Sequence, residues 1–203
     1  TEAVTLLEPW RETLEVQTID DAVELTAATQ CLVLLARLQG RPSQDYHLAM
    51  RLFARVRSEL DPLNVSAFLA EGDLLVDKAN RAEAAAAFGE ALSLNPKNGQ
   101  AWFALGRLAV ESFNFSKADE AIEALRRINP DHPLAAELAT FGLLYQRDPQ
   151  GARRAIEPLL DRYPNHRRAL AMLAAIEAMS YDVEKTQAVL TRSDTLAPGR
   201  SEP

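Results

Sequence analysis

The chain has 203 residues, of which 47% are hydrophobic, and it carries a formal net charge of −7. This apolar content argues against disorder, and no apolar run approaches the roughly 18–20 residues of a membrane span. The acidic balance argues against a nucleic-acid partner, because binding a phosphate backbone requires clustered lysine and arginine. Arginine outnumbers lysine by 18 to 4, which together with the many alanines is typical of a GC-rich bacterial source.

The first part of the chain, residues 1–64, is predicted to form irregular helical repeats. Residues 1–16 indicate a short helix with a kink or break at Pro9, because a proline inside a helix removes one backbone hydrogen bond. This segment is similar to the second helix of a repeat whose first helix is absent. Since the chain begins at Thr1 with neither a methionine nor a leader, we expect it to be an excised or processed piece.

A longer helix and a loop insertion follow. Thr18 with Asp21 indicates a variant of the capping box that opens a helix extending to about Gln39. The segment Gly40–Ser43 is predicted to be an inserted loop. The helical pattern then resumes, with one extra residue before Pro62.

A 34-residue repeat runs through the rest of the chain. One column holds proline, a second holds Asn or Asp, a third is mostly alanine and a fourth is large and apolar. In that order the columns are Pro62, Pro96, Pro130, Pro164 and Pro198; Asn80, Asn114, Asp148 and Asp182; Ala84, Ala118, Ala152 and Thr186; and Phe88, Ile122, Ile156 and Leu190. Several columns that hold one period make a strong repeat signal.

Each column has a physical role in a pair of helices. Asn or Asp in the turn accepts backbone N–H bonds at the start of the second helix, and the proline ends that helix. Small residues, such as Gly72 and Gly106 in first helices and Ala84 and Ala118 in second helices, allow the two helices to approach closely. One helix hairpin cannot bury its apolar stripe alone, so neighbouring hairpins must stack.

This pattern resembles the tetratricopeptide repeat family, whose consensus is W-x2-L-G-x2-Y, then A-x3-F, then P. The first unit matches at Phe68, Gly72, Leu75, Ala84, Phe88, Ala91 and Pro96, and the second matches at Trp102, Leu105, Gly106, Ala118, Ile122 and Pro130. The resemblance implies an all-α fold, a right-handed α-solenoid of stacked antiparallel helix hairpins with a 34-residue repeat.

The regular part of the chain, residues 65–200, divides into four tetratricopeptide-like units and leaves a tail at 201–203. The units are 65–98, 99–132, 133–166 and 167–200. Thr140 replaces the usual glycine in the third unit and Thr186 replaces the usual alanine in the fourth, which predicts looser packing there. The last helix is also more polar than its predecessors, as the outer face of a terminal repeat must be. We therefore expect the array to end at or near Pro198.

No residue is predicted to be catalytic or to bind a metal or a cofactor. His132 and His166 share one repeat position, but Asn98 holds that position in the preceding unit, so we interpret both as turn residues. Cys31 has no indicated catalytic partner and is interpreted as a small buried residue. The sequence contains no glycine-rich phosphate loop, no metalloprotease or hydrolase motif and no Cys-x-x-Cys pair. We therefore expect a protein that is not an enzyme.

In the tetratricopeptide family the first helix of each unit lines a concave groove, and the resemblance implies which positions contact a bound peptide. These positions, with the residues that flank them, are Leu69, Asp73, Val76, Phe103, Arg107, Val110, Glu137, Leu138, Phe141, Tyr145, Arg168 and Met172. They are mostly apolar with scattered charges, which fits an amphipathic helix or an extended apolar peptide. Relatives that hold a C-terminal carboxylate use a Lys/Asn/Arg clamp, and Leu69 and Asp73 in the first two clamp positions disfavour that use.

Three functions are compatible with this pattern. The first is a non-catalytic scaffold that binds a peptide or helix of a partner protein in the groove. The second is a targeting or regulatory arm of an enzyme whose catalytic part lies outside these 203 residues. The third is self-assembly into homo-oligomers through the edges of the repeats.

Overall fold

A computed structural model describes residues 2–40 and 42–196 of the chain. Within these ranges there are eleven α-helices and no strand, which confirms the predicted all-α class. The helices are α1 (Glu2–Val16), α2 (Ala22–Gln39), α3 (Pro42–Arg55), α4 (Val65–Asp77), α5 (Arg81–Leu94), α6 (Gly99–Glu111), α7 (Phe115–Ile128), α8 (Pro133–Tyr145), α9 (Pro149–Arg162), α10 (Arg167–Met179) and α11 (Val183–Leu196). Pro198 and the tail at 201–203 lie outside the described residues, as does Arg41 in the predicted loop insertion.

The helices of the regular units follow the repeat closely. First helices α4, α6, α8 and α10 begin at Val65, Gly99, Pro133 and Arg167, which are 34 residues apart. Second helices α5, α7 and α9 each end two residues before a proline of the repeat. The residue between, such as Asn129 with φ −151° and ψ 120°, is extended, because a following proline disfavours the helical conformation.

The chain divides into two compact units, Thr1–Ala101 and Trp102–Pro203. The first contains α1 to α5 and the second contains α7 to α11, while the boundary falls within α6. The sequence-based division at residue 64 marks the place where the repeat becomes regular, and it stays a prediction.

In the first unit, α2 packs against α1, α3 and α4. The core contains Leu25, Leu32 and Phe53, which are almost completely buried. The side chain of Asp21 accepts a hydrogen bond from the Glu24 N–H at 2.7 Å. Asp21 itself is therefore the N-cap of α2, rather than the second member of a capping box opened at Thr18, and the helix ends at Gln39 as predicted.

A π-helical turn at the end of α3 takes up the extra residue of this irregular repeat. Val56–Leu60 is π-helical, and the Asp61 N–H donates to the Val56 carbonyl at 2.8 Å. A π-helical hydrogen bond spans one residue more than an α-helical one. The insertion before Pro62 is thus accommodated inside the helix, while Val56 stays fully buried.

Two prolines lie inside helices without interrupting them. Helix α1 continues through Pro9 and α9 continues through Pro158. Both prolines are exposed, so water can bond to the carbonyl that each deprives of its helical partner. We expected a kink or a break at Pro9, and the continuous helix excludes a break there.

The predicted N-caps of the second helices are largely confirmed. Asn114, Asp148 and Asp182 accept hydrogen bonds from the N–H groups three residues later, at 3.2, 2.8 and 3.0 Å. Asn80 also occupies the N-cap position, but its side chain does not make this bond.

The first helices are capped from the position that holds Asn98, His132 and His166. Asn98 accepts from the Ala101 N–H at 2.9 Å. Nδ1 of His132 accepts from the Leu134 N–H at 3.2 Å, and Nδ1 of His166 accepts from the Ala169 N–H at 3.3 Å. The interpretation of both histidines as turn residues is therefore confirmed.

Two glycines lie where helices approach each other closely. A Cβ atom at Gly72 would overlap the ring of Phe88 on α5, within the same repeat. A Cβ atom at Gly106 would overlap the side chain of Leu138 on α8, in the next repeat, and would lie 3.0 Å from Cβ of Ala121. The missing side chains are therefore what allows these large residues to fit between the helices.

We expect Gly72→Ala to destabilise the protein by about 1–3 kcal/mol, because the added methyl group overpacks the contact with Phe88. The matched control is Gly89→Ala in α5, where a Cβ atom would meet nothing within 4 Å. That change should stabilise the protein by up to about 1 kcal/mol, since alanine is the better helix former. Chemical unfolding measures both effects. Equal stabilities for the two variants would contradict this packing.

The first unit also contains an incompletely satisfied buried ion pair. Glu71 on α4 is 6% exposed, and Nη2 of Arg57 donates to its Oε1 at 2.8 Å. Within the described residues, Glu71 Oε2 and Arg57 Nε have no hydrogen-bond partner. Burial raises the pKa of Glu71, and the attraction of Arg57 offsets this only in part. Desolvation thus outweighs the ion pair.

This raised pKa predicts a pH-dependent contribution to stability. The folded state binds the Glu71 proton more tightly than the unfolded state does. The resulting stabilisation is complete below the ordinary glutamate pKa and is lost as the pH rises through the raised pKa. We therefore expect Glu71→Gln, which stays neutral, to gain stability relative to the wild type across this window. Urea unfolding at a series of pH values measures the difference.

The control for this measurement is Glu90→Gln on α5, because Glu90 is exposed. Its stability should follow that of the wild type throughout the same pH range. If the Glu71→Gln variant instead lost stability relative to the wild type with rising pH, the pKa of Glu71 would not be raised.

Candidate partner-binding surface

The three predicted contact residues of the first unit lie on α4 and differ in exposure. Leu69 is half-buried and packs against a cluster that contains Phe68 and Ala91. Val76 is also half-buried. Asp73 is exposed and lines a cavity of about 190 Å³ together with residues of α2. The most accessible of the three is therefore the charged residue, while the two apolar residues are only partly accessible.

Four of the predicted contact residues in the second unit are buried. Phe103, Val110 and Leu138 belong to the core that α6, α7 and α8 form together, and Glu137 is 1% exposed. A partner cannot contact these side chains unless the helices separate. In the folded chain they are packing residues, and we leave them out of the candidate surface.

The buried carboxylate of Glu137 joins α8 to α10. Nη1 of Arg168 donates to its Oε2 at 2.8 Å, and Nε2 of His166 lies 3.4 Å from its Oε1. The Arg168 guanidinium also lies 5.4 Å from the centre of the Phe103 ring, which is a cation–π distance. Because a buried carboxylate left without its cation is strongly destabilising, Arg168 has a structural role even though its side chain is 55% exposed.

Besides Arg168, four predicted residues of the second unit remain accessible in whole or in part. Arg107 is exposed and forms an ion pair with Glu111 at 3.4 Å. Met172 is half-buried against the core of α9 and α10. Phe141 and Tyr145 lie one turn apart on α8, with their ring centres separated by 4.8 Å. Of the predicted set, this aromatic pair is the part that the structure brings together at the surface.

Two aromatic residues that the sequence analysis did not select extend this pair. The Phe113 ring lies 6.1 Å from the Tyr145 ring and 6.3 Å from the Phe115 ring, distances typical of interacting aromatic pairs. We call Phe113, Phe115, Phe141 and Tyr145 the aromatic cluster. Phe113 is 68% exposed and Tyr145 is 40% exposed, so the cluster presents apolar rings to solvent.

Phe113 is held in a left-handed backbone conformation by the turn that it occupies. The same position of the turn holds Ala79, Phe113, Arg147 and Tyr181, all with φ of 57° or 58°. This conformation costs a residue with a Cβ atom roughly 1–2 kcal/mol, and glycine usually fills such positions. A large aromatic residue at this repeat position is the sequence signal that could have identified Phe113.

The part of the chain that the structure describes has no feature of a metal or membrane site. No group of three or more His, Cys, Asp or Glu side chains in it could hold a metal ion. None of its helices is long and apolar enough to span a lipid bilayer. Cys31 is half-buried rather than fully buried.

Several solved structures share this fold. A tetratricopeptide repeat protein from Parabacteroides merdae aligns with 100% of this chain and 82% of its own, with a TM-score of 0.65 at 15% identity. PilF from Pseudomonas aeruginosa aligns with 98% of this chain and 86% of its own, with a TM-score of 0.60 at 20% identity. A MamA fragment from Desulfovibrio magneticus aligns with 88% and 98%, with a TM-score of 0.56 at 15% identity. These likenesses confirm the α-solenoid fold of stacked hairpins, and they show the fold alone.

Sequence comparison identifies the family. No curated protein matches the chain. The tetratricopeptide repeat models match residues 75–140 and 142–185, which together make up more than half of the chain. The 34-residue spacing of the first helices and the capped turns between them agree with this match. The chain therefore belongs to the tetratricopeptide repeat family.

Proposed function

We propose that the protein is a non-catalytic scaffold that binds an apolar, extended or helical segment of a partner protein at the aromatic cluster. Tetratricopeptide repeat proteins are in general protein-interaction scaffolds, and membership of this family supports the class of function. The observation that carries the more specific proposal is the set of four contacting rings with Phe113 and Tyr145 open to solvent.

Two physical arguments favour binding at this place. Exposed aromatic rings gain nothing from the hydrophobic effect in the free protein, but in an interface they bury large areas and are frequent hot spots. The left-handed conformation of Phe113 adds a conformational cost that glycine would avoid. Keeping a phenylalanine there therefore lowers stability, and a partner that covers the ring would compensate.

The remaining predicted residues would contribute around the cluster. Arg107 lies on α6 at a position that the family resemblance implies to contact a peptide, and Met172 lies on α10 beside such positions. Asp73 would add a charged contact in the first unit. The two alternative functions, self-assembly and a targeting or regulatory arm of an enzyme, stay predictions. No specific observation in the described residues favours either of them.

We expect the double change Phe113→Ser and Tyr145→Ser to weaken partner binding at least about tenfold, because it removes two aromatic anchors. Proteins captured by the wild type and by the variant are compared by quantitative mass spectrometry. The dissociation constant of each captured partner is then measured by calorimetry. The variant should remain folded in circular dichroism and thermal melts, since both side chains are substantially exposed.

The matched control is Tyr181→Ser. Tyr181 occupies the same left-handed turn position as Phe113 and is 92% exposed, but it lies outside the aromatic cluster. This change should leave the affinity for the partner within about twofold of the wild type. If the double variant, still folded, binds the captured partners as tightly as the wild type does, the aromatic cluster is not the binding site.

A further inference from the structure

A cleft of about 420 Å³ lies between α7, α8 and α9 in the second unit. Arg126 from the last turn of α7 lines it, together with Arg154 and Arg162 from α9. Ala136 and Ala139 of α8 line it as well, with further small and apolar residues. The cleft therefore combines three cationic side chains with an apolar surface formed by small side chains.

The cleft and the aromatic cluster use different sides of α8. Successive residues of an α-helix are about 100° apart around its axis. Ala136 and Ala139 consequently lie at least about 120° from Phe141 and Tyr145. A ligand in the cleft would leave the aromatic cluster accessible, so the cleft is a second site beyond the function proposed above.

The positive charge of the cleft is only partly neutralised by the chain itself. Nη1 of Arg162 donates to Oδ2 of Asp131 at 2.8 Å, whereas Arg126 and Arg154 form no ion pair with any described residue. His132, the N-cap of α8, also lines the cleft, but the C-terminal ends of α7 and α9 line it too, so the positive charge comes from the arginines and not from the helix dipoles. This local excess of positive charge stands on a chain whose net charge is −7.

We propose that the cleft binds an acidic segment of a partner protein. An aspartate or glutamate carboxylate of the segment would accept hydrogen bonds from Arg126 and Arg154, because guanidinium groups match carboxylates in charge and in planar geometry. A small apolar side chain beside it would lie against Ala136 and Ala139. Combining charged and apolar contacts in one short segment requires a peptide rather than a simple anion.

Other occupants fit less well. A nucleic acid needs a basic track that follows its phosphate backbone, and here three arginines are confined to one cleft on an acidic chain. A second copy of the chain brings another net charge of −7, so the two molecules repel each other at long range.

The test is a titration of the isotopically labelled protein followed by nuclear magnetic resonance. The probe is a short synthetic peptide of glutamate, alanine and leucine, and its counterpart has glutamine in place of every glutamate. We expect the acidic peptide alone to shift the amide signals of Ala136 and Ala139 in a saturable way. The double change Arg126→Gln and Arg154→Gln should weaken this binding about tenfold or more.

The control removes the same charge elsewhere, with Arg127→Gln and Arg147→Gln. Both arginines are exposed and neither lines the cleft, so this variant should retain the affinity within about twofold. The change Phe113→Ser with Tyr145→Ser should also leave peptide binding intact, which separates this site from the aromatic cluster. If both arginine variants lost the same affinity for the acidic peptide, long-range attraction alone would explain the binding, and the proposal would be overturned.

Three further outcomes would also overturn it. One is the absence of saturable shifts with the acidic peptide. Another is tighter binding of inorganic phosphate or of a single-stranded oligonucleotide than of the peptide. The third is a wild-type dimer in sedimentation that Arg126→Gln with Arg154→Gln dissociates, because the occupant would then be a second copy of the chain.

Discussion

The structure depends on the few places where one helix lacks a side chain so that another helix can come close. Gly72 leaves room for the ring of Phe88 within its own repeat, and Gly106 leaves room for Leu138 of the next repeat. One kind of contact therefore closes a hairpin, and the other joins successive hairpins. Since a single hairpin cannot bury its apolar stripe, the fold requires both. Because stacked hairpins must meet at regular positions, their caps and turns recur at the same 34-residue interval.

Much of the fold was predictable because the signals that begin and end its helices are local. An N-cap such as Asp148 and a proline such as Pro164 act within one turn of helix, so their spacing located the helix ends without knowledge of packing. Features decided by tertiary context were not predicted. Helices continue through Pro9 and Pro158, and a π-helical turn absorbs the residue inserted before Pro62. Solvent exposure makes the two prolines tolerable, and the burial of Val56 favours the π-helical turn, and neither can be read from the local sequence.

The candidate site was less predictable, because repeat position specifies a side of the helix but not what covers it. Val110 and Glu137 were predicted to be contact residues, yet neighbouring helices bury both. Phe141 was predicted in the same way and remains partly open. Phe113 was missed because it lies in a turn, where apolar periodicity carries no information. Its aromatic side chain at this repeat position is a sequence signal, but the contacts of its ring with those of Phe115 and Tyr145 are seen only in the structure.

Helix α8 combines packing residues with residues of both surfaces that we propose for binding. Its buried Glu137 is held by Arg168 and His166 of the following repeat, which ties the hairpins together through charge. On another side, Ala136 and Ala139 are too small to fill the space between α7 and α9. The bordering side chains there include arginines, which cannot enter an apolar slot without losing hydration. The cleft consequently stays open and positively charged, and an acidic ligand is the kind of molecule whose attraction to the arginines could offset that loss.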